Sequence, residues 1–174
     1  MHPKPGQTGS VLSFDRGTLL LSAGRRSGIR PFQAVVSPEG LLGFIQTAGL
    51  GTSIVFTWSH PDFRASAVTL DGSVTGIISV TAAASIREPM LELRGVPYRD
   101  SVPVGTAVIT SGLGGVYPRG LPIGTVVGVA RQSEGWERVY LVRPAAAPAR
   151  VSHVLIISAG TVWPGQAPPE DSLP

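Results

Sequence analysis

The chain has 174 residues, room for one ordinary domain or two very small ones. It holds 22 Gly and 16 Pro, a high share, while only 14% of residues are charged. The absence of Cys excludes disulfide frameworks, thiolate zinc sites and cysteine nucleophiles, and a net charge of +3 with scattered Arg and 6% aromatics argues against a nucleic-acid face.

In chain order, residues 1–9 are Pro/Gly-rich and polar, and are expected to be loose. Short β-branched and aliphatic runs follow at 18–22, 34–37, 41–47, 53–58, 65–70, 74–80, 90–94, 107–110, 125–130, 139–142 and 151–157. Turn residues separate them. Ser37-Pro38-Glu39-Gly40 places Pro where φ near −65° suits a turn and Gly where φ can be positive. Asp71-Gly72 marks a two-residue hairpin. In Met90-Leu91-Glu92-Leu93-Arg94 charged and apolar residues alternate, which predicts one buried and one wet face. Helical periodicity is almost absent, and about eleven short strands predict an all-β sandwich or barrel. A weak internal echo relates Ala34-Val35-Val36-Ser37 with Gly40-Leu41-Leu42-Gly43 to Ala107-Val108-Ile109-Thr110 with Leu121-Pro122-Ile123-Gly124. It favours two related small barrels over the alternative, one sandwich.

No window reaches the roughly 18 apolar residues of a membrane span, and residues 1–6 lack the apolar stretch of a signal peptide. The chain as written is therefore expected to be soluble. Of the three His, His2 lies in the loose start, His60 in a turn composition with Asp62, and His153 in the last strand. His60, Asp62 and a Ser such as Ser111 are the candidates for a triad in a protease-like barrel, but no nucleophile-elbow context surrounds any Ser. Gly112-Leu113-Gly114-Gly115 has neither the spacing nor the following helix of a dinucleotide fingerprint, and reads as a tight loop needing positive φ. Carboxylates are dispersed, so neither a metal nor a cofactor is expected. Tyr117, set between Gly and Pro, is either pinned onto the barrel or presented to a partner.

The segment Thr110-Ser111-Gly112-Leu113-Gly114-Gly115-Val116-Tyr117-Pro118-Arg119-Gly120-Leu121-Pro122-Ile123-Gly124 resembles the signature of the rod shape-determining MreC family, with Tyr117 for Phe and Arg119 for Lys. Val35-Val36-Ser37-Pro38-Glu39-Gly40-Leu41-Leu42-Gly43 is similar to a second family stretch, and weaker collinear matches run from about Phe14 to Ile157.

The resemblance implies two six-stranded β-barrels packed side by side, the second inserted within the first. The expected division is a flexible segment 1–13, a first barrel from 14–60 and 139–158, a second from 61–138, and a disordered tail 159–174. It implies a non-catalytic scaffold of the cell-elongation complex, which organises peptidoglycan synthesis and cell shape at the outer face of the cytoplasmic membrane. Implied partners are the class B transpeptidase of elongation, MreD and other copies of the chain. The rival readings from residues alone are a barrel hydrolase and a small-ligand-binding barrel.

The partner surface is expected at Leu113, Val116, Tyr117, Pro118 and Arg119, on a loop shaped by Gly112, Gly114, Gly115, Gly120 and Gly124. Short strands with partial edges are expected to favour weak self-association.

Overall fold

The fold is that of a computed structural model, which describes residues 6–81, 89–133 and 136–158. Twelve strands among these residues form two closed antiparallel barrels. The first comprises β1 (Gln7–Asp15), β2 (Thr18–Leu21), β3 (Ala34–Ser37), β4 (Gly40–Ala48), β5 (Ser53–Thr57) and β12 (His153–Ile157), in the order β1-β12-β3-β4-β5-β2. The second comprises β6 (Ala65–Thr69), β7 (Thr75–Val80), β8 (Leu91–Pro97), β9 (Ala107–Thr110), β10 (Pro122–Ser133) and β11 (Glu137–Pro144), in the order β10-β11-β8-β7-β6-β9. It is inserted between β5 and β12 of the first.

Alternation fills each barrel. Leu19 and Leu21 of β2, Val55 of β5, and Leu42 and Ile45 of β4 pack with Val35 and Ile156 inside the first barrel. Strand β3 is buried along its whole length, which explains why it reads as a continuous apolar run. Val35 faces its own barrel, whereas Ala34 and Val36 join Leu41 and Ile157 in the cluster that fills the second barrel and the junction. The two crossings between barrels are tied together where Trp58 Nε1 donates to the Ala146 carbonyl at 2.9 Å. Strands β4 and β10 meet closely there, since a Cβ on Gly40 would lie 2.5 Å from the Pro122 carbonyl oxygen.

The predicted turns are present. Pro38-Glu39 forms the tip between Ser37 and Gly40, with Gly40 at φ 149°. Gly72 takes φ 79°, and the Asp71 carboxylate accepts from Thr69 Oγ1 at 2.6 Å, Ser73 Oγ at 2.8 Å and Ser73 N–H at 3.1 Å. These bonds, the Thr69 one first, lower the Asp71 pKa to about 2. The internal echo has a structural counterpart: β3 pairs with β4 and β9 with β10, and a Cβ on either Gly43 or Gly124 would collide with a carbonyl oxygen of the neighbouring strand, Phe56 or Arg143.

Four expectations need correction. Residues 7–13 are not loose: β1 pairs with β12 through Gln7↔Ile156 to Ser10↔His153 and with β2 through Val11↔Leu21. Its Gly and Asp are weak local strand formers, and its partner β12 comes from the far end of the chain. The crossing back to the first barrel falls after Pro144 and not at 139, because β11 is paired to β10 on one side and β8 on the other. Glu92 is not on a wet face. It is 7% exposed because Arg94, at 3.4 Å, and Arg131, at 3.2 Å, lie over its carboxylate. Lastly, closure leaves neither barrel a free edge, so strand pairing is not a route to self-association. The expected tail 159–174 lies outside the described residues, as do residues 1–5.

Candidate partner-binding surface

The loop from β9 to β10 closes one end of the second barrel. Its base is the buried Thr110. Thr110 Oγ1 donates to the Pro118 carbonyl at 2.5 Å and accepts from Leu121 N–H at 2.9 Å. The Thr110 carbonyl accepts from Gly120 N–H at 2.9 Å, and its N–H donates to Leu121. Four bonds through one residue bring the two ends of the loop together. Gly112, Gly114, Gly115 and Gly120 all have φ between 74° and 94°, where a side chain is strained. Gly124 serves differently, by the close strand approach described above.

The five side chains expected to meet a partner divide. Tyr117 is 6% exposed and Pro118 is buried. Tyr117 lies 6.0 Å from the fully buried Phe63 and belongs to the core cluster, with Val116 half-buried against it. The Tyr117 hydroxyl is buried without a hydrogen-bond partner among the described residues, and desolvation pushes its pKa well up. Leu113 is 67% exposed, and Arg119 is exposed. A shallow groove of about 140 Å³ runs between the loop and β6–β7, lined by Leu113, Val116, Tyr117, Ala65 and Ile77, with Arg64 at its rim. Ile77 is also an exposed apolar residue. The loop thus offers exposed Leu113 across a groove from Ile77 and Arg64, with its aromatic residue holding it from below.

The triad candidates are not organised for catalysis. His60 Nδ1 accepts from the Asp62 N–H within its own turn at 3.0 Å, and the ring stacks on Phe56 at 3.8 Å. Ser111 Oγ accepts from Leu113 N–H at 3.3 Å. Among the described residues no Ser hydroxyl is bonded to His60, and no cluster of three metal-ligating side chains occurs.

The family model for the rod shape-determining protein MreC, barrel core, matches residues 11–158. The chain belongs to the MreC family. Curated cell shape-determining MreC proteins match over most of it: that of Cereibacter sphaeroides is 31% identical over 169 residues, covering 94% of this chain and 53% of the relative. That of Listeria monocytogenes is 27% identical over 137 residues, covering 79% and 46%. The chain spans about half the length of such relatives. The solved MreC of Listeria monocytogenes superposes with a TM-score of 0.81 at 28% identity, covering 90% of this chain and 76% of that one. MreC from Helicobacter pylori, solved in complex with penicillin-binding protein PBP2, shares the fold with a TM-score of 0.67 at 18% identity, covering 92% and 99%.

Among the described residues no helix is long and apolar enough to cross a membrane. Sequence reasoning did not single out the exposed Phe32 or the half-buried Phe44 and Phe56, which pack ring against ring. They are spaced twelve apart on different elements, and only barrel closure aligns them.

Proposed function

We propose that this chain is the barrel region of an MreC-type scaffold at the extracytoplasmic face of the cytoplasmic membrane. It holds the class B transpeptidase of cell elongation in the shape complex, together with MreD and further copies of itself, and performs no chemistry of its own. Family membership over residues 11–158 carries this reading. The Helicobacter pylori relative captured with PBP2, and a related fold described as the major periplasmic domain of the cell shape-determining filament MreC, support the partner and the location.

The glycine-loop face suits the transpeptidase contact. Its exposed Leu113 and Ile77 supply apolar area, Arg64 lines the same groove, Arg119 is exposed on the same loop, and the Thr110 bonds limit the entropy lost on docking. Because Tyr117 and Pro118 are buried, they position the loop and Leu113 and Arg119 meet the partner.

The test is binding of the purified chain to the extracytoplasmic region of its own organism's transpeptidase. The double variant Leu113→Asp, Arg119→Glu is expected to keep its Tm and lose binding by at least about tenfold, the weight of a typical interface anchor. Unchanged affinity would move the contact elsewhere on the barrels. No binding by the unaltered chain would remove the scaffold reading itself.

A further inference from the structure

One end of the first barrel carries positive charge alone. The loop after β2 runs between two residues sunk in that barrel's core, Ala23 and Ile29. Between them Arg25–Ser27 forms one turn of 3-10 helix, and Ile29 N–H returns to the Gly24 carbonyl at 3.1 Å. Arg25, Arg26 and the following Arg30 are all exposed. The turn is fastened to the tip of the β4–β5 hairpin. Arg25 N–H donates to the Gly49 carbonyl at 2.8 Å, and Arg26 N–H to the Leu50 carbonyl at 3.1 Å. The two backbones touch, since a Cβ on Gly24 would lie 2.4 Å from the Gly49 oxygen. Leu50, at the tip, is 57% exposed.

No carboxylate offsets this end. Residues 16–38 and 40–61 contain neither Asp nor Glu. The two acidic residues of the first barrel, Asp15 and Glu39, stand at the far ends of its strands. Glu39 precedes β4 and Leu50 follows it, roughly 25–30 Å apart along the strand. Asp15 pairs with Thr18 at the start of β2, whereas the arginine turn follows the other end of β2. Both separations exceed the Debye length, about 8 Å at physiological ionic strength. Among the described residues the ion pairs join only Glu92 to Arg94 and Arg131, so Arg25, Arg26 and Arg30 have no carboxylate partner.

We infer that this end of the first barrel rests on an anionic lipid bilayer, with Leu50 entering the headgroup layer and Arg25, Arg26 and Arg30 meeting lipid phosphates. Guanidinium groups suit phosphate, and cations beside an apolar tip add electrostatic attraction to apolar burial. A single projecting Leu needs no matching pocket in a fluid headgroup layer. A protein partner would have to supply one, together with carboxylates in fixed positions. The inference rests on the reading that the chain works at the outer face of the cytoplasmic membrane, which provides such a surface. The second barrel meets β4 at its opposite end, where Gly40 approaches Pro122, so this docking holds the second barrel away from the bilayer.

Co-sedimentation of the purified chain with vesicles at millimolar lipid and low ionic strength tests this. Vesicles of phosphatidylglycerol and phosphatidylcholine are expected to bind the chain, vesicles of phosphatidylcholine alone are not, and added salt is expected to release it. The double variant Arg25→Glu, Arg26→Glu is expected to keep its Tm and bind at least about tenfold more weakly. Arg16→Glu, Arg143→Glu alters net charge equally but lies elsewhere on the barrels, and is expected to retain most of the binding. Leu50→Ser is expected to weaken binding with its Tm unchanged.

Equal binding to both vesicles overturns the proposal, and so does an equal loss in the two charge variants. Unaltered binding by Leu50→Ser overturns the entry of the hairpin tip into the headgroup layer. Binding of neither vesicle by the unaltered chain overturns the lipid surface and leaves this end to an acidic protein; binding of the same preparation to the transpeptidase then shows that the scaffold reading stands apart from it.

Discussion

Tyr117→Phe should stabilise the isolated chain. The ring is 6% exposed and packs on Phe63, so the variant keeps its packing. The hydroxyl it removes is buried with no partner among the described residues. A buried unsatisfied polar group costs about 1–3 kcal/mol, so removing this one should recover about 1–2 kcal/mol. For a protein of this size that corresponds to a rise in Tm of roughly 3–6 °C. Tyr117→Ala, in contrast, should cost about 3–5 kcal/mol through the lost aromatic volume. Thermal melts of the two variants beside the unaltered chain, followed by circular dichroism, give both numbers. A lower Tm for Tyr117→Phe would refute the reasoning, because it would mean that the hydroxyl is bonded in the folded state. A small loss for Tyr117→Ala would deny that Tyr117 is the underside of the loop.

Thr110→Val retains shape but removes the hydroxyl bonds to Pro118 and Leu121, leaving a buried carbonyl and N–H unpaired; urea titration should show a loss of about 2–4 kcal/mol. The Asp71 carboxylate, lowered from 3.8 to about 2 by its Thr69 and Ser73 bonds, contributes stability that is fully present above pH 3.8 and lost as pH falls through about 2. The difference in Tm between the unaltered chain and Asp71→Asn should therefore be constant near neutral pH and shrink between pH 3.8 and 2; a difference that persists at the lowest pH would contradict the linkage.

The local grammar of the chain was legible because it rests on near neighbours. Gly40 and Gly72 follow from the backbone angles that short turns demand. The glycine loop follows from its run of residues able to take positive φ. The apolar runs of β3 and β12 needed only their β-branched content. The paired echo between 40–43 and 121–124 was visible too, and its reason is steric: Gly43 and Gly124 sit where a neighbouring carbonyl leaves no room for Cβ.

What escaped the sequence depends on partners far away in the chain. Strand β1 has little apolar content of its own and exists because β12 and β2 bracket it. Glu92 looked solvated, since nothing near it in sequence shows that Arg131 arrives from β10 to cover it. The fate of the glycine loop was likewise undecidable locally: Tyr117 goes inward because Phe63, at the entry to the second barrel, offers it a buried face, while Leu113 finds none. Local order sets turns and strands, because backbone sterics act over a few residues. Closure, burial of individual side chains and the alignment of Phe32, Phe44 and Phe56 into one row were decided by the tertiary structure, because each needs strands from distant parts of the chain held in a single register.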